Sequence, residues 1–193
     1  MRKILLLSAL VASTAVPAAV HAQARGGIIV VDTDQILKTC TACASAQQQL
    51  SQKETALRTR AQTLNTQLTT EGKPIQDAVD ALKGKEPDAA LKQRITVFET
   101  KQRSAQQELA TSQRQLQSTA ANVQQQIASR LVQIVEQVRA RRGAALAVAK
   151  DATLANDSAG DVTSEVLAAL NSALPSVSVT PLPQSSQQQP QGR

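Results

Sequence analysis

The 193-residue sequence has no tryptophan, no tyrosine, one phenylalanine, one histidine and two cysteines. Aromatic side chains bury about 150–250 Å² each and supply much of an ordinary globular core. Their scarcity excludes a large compact core, and Phe98 stands alone. The single histidine, His21, lies at the extreme N-terminus, and the two cysteines are too few for a disulfide-rich scaffold or a four-cysteine zinc site. The mature chain therefore offers no Ser-His-Asp set, no paired catalytic carboxylates and no metal-ligand set, and neither an enzymatic role nor a cofactor is expected. What is present is 41% nominally hydrophobic residues and only 19% charged ones, which does not fit a disordered chain. Alanine, leucine, valine and isoleucine are dispersed among 26 glutamines and the basic and acidic residues, a mixture that suits long helices with narrow apolar seams.

Residues 1–22 read as a secretory signal. Met1-Arg2-Lys3 is a basic start, residues 4–20 carry no charge, and Val20 and Ala22 bracket His21 with small side chains, as signal peptidase requires. Cleavage is expected after Ala22, or after Ala24, since Ala22-Gln23-Ala24 has the same form. A membrane anchor is the alternative, but the apolar run is at the short end of a span and contains Pro17.

Without Arg2 and Lys3 the chain has 19 basic and 15 acidic residues, a net charge of +4. Residues 45–142 hold 15 basic against 9 acidic residues, so the positive excess sits in the middle of the chain. Export, the lack of stacking aromatics and interspersed acids argue against nucleic acid as a partner. Acidic polypeptides or anionic lipid headgroups suit a diffuse positive field better.

That middle segment has a helical period. Leu50, Leu57 and Leu64 repeat every seven residues, with Ala61, Leu68, Ile75, Ala78 and Leu82 at the alternating spacings of three and four. Gly84 and Pro87 in Lys83-Gly84-Lys85-Glu86-Pro87-Asp88 then mark a reversal, with Gly84 left-handed and Pro87 in the first turn of the next helix. Leu91, Ile95, Phe98, Ala105, Leu109, Leu116, Val123, Ile127, Leu131, Ile134 and Val138 continue the seam on the way back. The pattern predicts a long antiparallel helical hairpin over 45–142 with its tip near 83–88. Glu71-Gly72-Lys73-Pro74 predicts a kink in the outgoing helix, or a loop that splits it. Phe98 is expected to pack against Ile75 or Val79.

Two short segments, 23–44 and 143–174, flank the arm. Ile28-Ile29-Val30-Val31 reads as a buried strand, followed by Asp32 and Gln35 at capping-box spacing. Residues 143–150 predict a second strand, Thr153-Leu154-Ala155 a third, and Asp161 or Thr163 the cap of a closing helix. The fold class is α+β, mostly α: a helical hairpin on a small β base. Open strand edges on so small a base predict association with further subunits. The Pro-, Gln- and Ser-rich residues 175–193 predict a disordered tail with polyproline II character.

The Ile28-Ile29-Val30-Val31-Asp32 strand, the basic Gln-rich hairpin, the strand of residues 144–150 and the closing Asp161-Val162-Thr163-Ser164-Glu165-Val166-Leu167 stretch together resemble the OmpH/Skp family of periplasmic chaperones. The resemblance implies a jellyfish-like homotrimer with a β body and three helical arms. It implies a periplasmic, ATP-independent holdase for unfolded outer-membrane proteins, with no catalytic residue. Lipopolysaccharide or another anionic lipid is a further partner class consistent with the charge. A structural coiled-coil adaptor is the alternative, although the flanks are too short for the paired β segments such adaptors carry. Lys73, Lys83, Lys85, Lys92, Arg94, Lys101 and Arg103, around the distal arm, are the expected client-binding lining. Cys40-Thr41-Ala42-Cys43 has a spacing that permits a disulfide, a free thiol pair, half a metal site or a redox pair. No thioredoxin-like pattern surrounds it, and helical spacing favours the disulfide.

Overall fold

The computed structural model describes residues 26–182; the signal segment and the last eleven residues lie outside them. Strand β1 (Ile28–Val31) leads into a short helix α1 (Thr33–Thr39) and then α2 (Thr41–Ala81), the outgoing limb of the arm. Helix α3 (Ala89–Arg141) returns to the base, where β2 (Leu146–Ala149) and α4 (Thr163–Ala173) complete it. At 1.5 Å per residue α2 and α3 are about 60 and 80 Å long, so the hairpin dominates the molecule.

The reversal is made by Lys83 (φ 49°) and Gly84 (φ 86°), both left-handed. Pro87 stands just outside α3, not in its first turn: Asp88 is the cap, its carboxylate accepting from the Leu91 amide at 2.7 Å. Helix α2 runs through Gly72 and Pro74 without a break, so no loop divides it. The reason for the glycine lies across the seam. A Cβ added at Gly72 would stand 2.8 Å from Cζ of Phe98, so the glycine leaves room for the only aromatic ring. The ring thus packs over Gly72.

The base is built on β1 and β2, which are parallel, with Ile28 opposite Leu146 and Val31 opposite Ala149. On the other edge of β1, Val30 bridges to Asp161, and the Val162 amide donates to the Val30 carbonyl at 3.0 Å. The segment at Thr153-Leu154-Ala155 forms no third strand. It runs as irregular chain that leaves Leu154 fully exposed, while Asp161 takes the far edge of β1. The core lies where α1, α4 and the roots of α2 and α3 meet, with Ile36, Val138, Val166 and Leu170 fully buried. Small residues at the root of α2, Ala42, Cys43 and Ala46, are buried and let the helices approach closely. Higher up, the seam leucines Leu50, Leu57 and Leu68 are only half-buried.

Hydrogen bonds from α4 fasten the chain reversals at the base. The Thr163 hydroxyl accepts from the Asp32 amide at 2.8 Å, and the Asn171 amide oxygen accepts from the Thr41 amide at 2.9 Å. Asp32 itself caps α1 by accepting from the Gln35 amide at 2.8 Å. Asp161 accepts from the Thr163 amide at 3.0 Å and pairs with Lys150 at 3.1 Å. The Thr163 hydrogen bonds, followed by Lys150, hold the Asp161 carboxyl below its ordinary value, and Asp161 raises Lys150.

Residues 175–182 depart from the expected disorder. They lie extended along α3, with Val177 and Val179 packed half-buried against the core. Prolines at 175 and 181 preclude a helix there, but the alternation Val177-Ser178-Val179-Thr180 gives this stretch one apolar edge, which the flank of α3 covers.

Candidate functional site

The arm carries the candidate site. Its seam is diluted with glutamine, threonine and alanine, so the two helices meet without closing the surface between them. One flank bears a groove of about 760 Å³ whose apolar floor includes Leu37, Leu50, Leu116 and Ala120, with Gln47, Gln113, Gln117 and Gln124 on its walls. It continues toward the tip past Leu57, Ala61 and Leu109, a further 550 Å³ or so. Floors of this kind bind by contact area, while glutamine amides supply both donors and acceptors to any backbone laid against them.

Ion pairs tie the limbs at two levels. Arg60 reaches Glu108 through two hydrogen bonds, at 2.6 and 3.0 Å, and Lys101 reaches Glu71 at 2.6 Å. The Arg60 bonds hold the Glu108 carboxyl below its ordinary value. Both pairs are solvent-exposed, so they set register more than stability.

The seven basic residues expected to line the distal arm are all exposed, but they differ in their surroundings. Lys73 pairs with Asp77 at 3.1 Å, Lys92 with Glu86, and Lys101 with Glu71. Arg103 donates to the Thr100 hydroxyl and the Glu99 carbonyl, both at 3.4 Å. Lys83, Lys85, Arg94 and Arg103 have no carboxylate within 4 Å among the described residues. Residues 71–103 contain those seven bases and six acids, so the distal arm as a whole carries only +1. The structure therefore gathers no dense positive patch from them; Lys83 and Lys85 sit together at the tip.

Cys40 and Cys43 are disulfide-bonded with their Cα atoms 5.1 Å apart. Cys40 lies outside the helix, as the one residue between α1 and α2, with extended backbone (ψ 140°), and Cys43 occupies the first turn of α2. The Cys40 sulfur also accepts from the Cys43 amide at 3.0 Å. Both residues are buried in the base core, and Cys43 also lines the base end of the larger groove.

Sequence reasoning missed a polar ladder on the opposite flank of α3. Ser118, Asn122 and Gln126, each four residues apart, hydrogen-bond to the backbone of residues 178–182. The signal was present as that spacing on the helix and as the valine alternation in the tail.

The profile of the family described as outer membrane protein (OmpH-like) matches residues 27–170. No curated protein matches the sequence. Among solved structures, a candidate outer membrane chaperone (OmpH-like) from Caulobacter crescentus CB15 superposes with a TM-score of 0.68 at 17% identity, over 84% of this chain and 94% of that one. At that identity the likeness is one of fold.

Proposed function

The chain belongs to the OmpH-like outer membrane protein family, and from that membership we propose that it is a periplasmic, ATP-independent holdase for unfolded outer-membrane proteins. The observation that carries the reading is the arm: about 60 Å of two-helix hairpin with an apolar groove floored by half-buried leucines and alanine and walled by glutamine. A holdase must bind many sequences weakly at many points, which calls for an adaptable surface in place of one deep pocket. The grooves are shallow, long and apolar-floored, and they suit extended segments of varied sequence. The fold of the Caulobacter protein, itself described as a candidate outer membrane chaperone, supports the same reading.

Self-association belongs to the proposal, with a homotrimer as the copy number that the family resemblance implies. Ile28 and Leu146, partners in the strand register, are 57% and 51% exposed, and Leu154, in the segment after β2, is fully exposed. Three large apolar side chains on a base this small support burial against a second copy. Lys83 and Lys85 at the tip, with Arg94 and Arg103, are the distal-arm bases best placed to meet acidic clients or anionic lipid, lipopolysaccharide included, because no carboxylate within 4 Å competes for them among the described residues.

The test is suppression of aggregation. An unfolded outer-membrane β-barrel protein is diluted from urea with and without the mature chain, and light scattering is followed. Scattering is expected to fall at severalfold excess of this protein; undiminished scattering refutes the holdase.

A further inference from the structure

The contacts of residues 175–182 are of one kind. The Gln126 side-chain oxygen accepts from the Ser178 amide at 2.9 Å, and its nitrogen donates to the Ser178 carbonyl at 3.0 Å. The Asn122 side chain donates to the Thr180 carbonyl at 3.0 Å, and the Ser118 hydroxyl accepts from the Leu182 amide at 3.0 Å. Every one of these bonds is made to main chain. The spacing explains why they fall in series: four residues of helix rise about 6.0 Å, and two residues of extended chain advance about 6.6 Å. Steps of four on α3 therefore keep pace with steps of two on the strap. Between the bonded residues, Val177 and Val179 turn toward the core, and Pro181 reaches a groove shared with Ala56, Leu57 and Leu116. A neighbouring hollow lined by α2 alone, from Ser51 to Thr63, shares Ala56 and Arg60 with that groove.

We propose that this flank of α3 is a binding track for extended polypeptide with small apolar side chains at alternate positions, and that residues 175–182 occupy it in cis as a displaceable occupant. The track reads backbone, so it discriminates little among sequences. The strap is held by neutral hydrogen bonds at exposed sites, two half-buried valines and Pro181, a weak grip made effective by the tether. A client strand with the same alternation meets the same donors and acceptors. That the displacing strand comes from an unfolded β-barrel protein rests on the holdase reading; the track itself does not.

The probe is a fluorescein-labelled peptide with the sequence of residues 175–182, titrated by anisotropy against the full mature chain. In wild type the tethered strap competes, so apparent affinity is low. Val177→Asp together with Val179→Asp undocks the strap and is expected to raise peptide affinity at least tenfold, and adding Gln126→Ala is expected to remove that gain. Where the aspartates disturb the base, as read by circular dichroism, Ser178→Pro removes the amide that Gln126 accepts, keeps both valines, and is expected to give the same gain. Equal affinity in wild type and an undocked variant overturns the track, as does a gain that survives Gln126→Ala. The same variants titrated with urea-diluted β-barrel protein separate the two claims: a gain for the peptide with none for the barrel protein leaves the track and refutes the barrel strand as its competitor.

Discussion

Gly72 and Phe98 permit a quantitative test of how the distal arm is held. Replacing glycine by alanine inside a helix ordinarily stabilises by about 1 kcal/mol. Here the new Cβ would meet Phe98 Cζ at 2.8 Å, Cε2 at 3.3 Å and Cε1 at 3.5 Å, so the ring must move. Overpacking costs roughly 1–3 kcal/mol, and because the ring is half-exposed and is struck at its free end, the low limit applies. Gly72→Ala is thus expected to be near neutral in the native background. Phe98→Ala alone removes roughly half of a buried ring, about 100 Å² of apolar contact, and is expected to cost about 2.5 kcal/mol. With the ring gone, Gly72→Ala recovers its full gain of about 1 kcal/mol, so the cycle shows a coupling of about 1 kcal/mol. Hydrogen exchange by mass spectrometry reports it locally: amides around residues 68–80 slow about fivefold on Gly72→Ala in the Phe98→Ala chain and change less than twofold in the native one. Equal slowing in both backgrounds refutes the packing of Phe98 on Gly72.

Two further outcomes are expected. Asp161→Asn keeps an acceptor for the Thr163 amide but loses the charge paired with Lys150, and is expected to lower stability at neutral pH. Because the Asp161 carboxyl is held below its ordinary value, its contribution is present above about pH 4 and is lost as the pH falls through the folded value; Lys150, raised, keeps its share until the pH climbs past about 10. Urea titrations of both chains should therefore converge in acid, and a constant difference down to pH 2 contradicts the pairing. Leu154→Asp, at a fully exposed position, is expected to leave the monomer fold unchanged in circular dichroism while shifting sedimentation velocity toward smaller species; an unchanged distribution removes Leu154 from the association surface.

The arm was legible because its signal is periodic: leucines at 50, 57 and 64 occupy one stripe whatever the tertiary context, and the structure buries or half-buries them. Gly72 and Pro74 suit a kink or a loop because local propensity penalises both, yet no loop forms and the glycine answers a ring on the partner helix, 26 positions later in the chain. No local rule connects the two. The third strand at Thr153-Leu154-Ala155 failed for a related reason: its composition suits a strand, but β1 has one edge on β2 and the other on Asp161. Residues 175–182 read as disordered because proline content outweighs two valines that pack on the core and a main chain that a ladder on α3 holds. Of the candidate site, the basic residues were visible as charge, whereas their neutralisation by Asp77, Glu86 and Glu71 depends on rotamers and on the facing helix.

The clasp between Cys40 and Cys43 sits at the pivot of a lever. Cys40 is the single non-helical residue between a short helix packed in the base and a limb about 60 Å long. A rotation of roughly 5° at that residue carries the tip about 5 Å, on the order of the rise of one helical turn. Stiffness is most effective at the fulcrum, and there the chain has both a covalent bridge and the Asn171 bond to the first amide of the limb. In the association proposed above, the spacing between arms would accordingly be set within a few residues of the base, and a softer root would widen the range of partner sizes that they span.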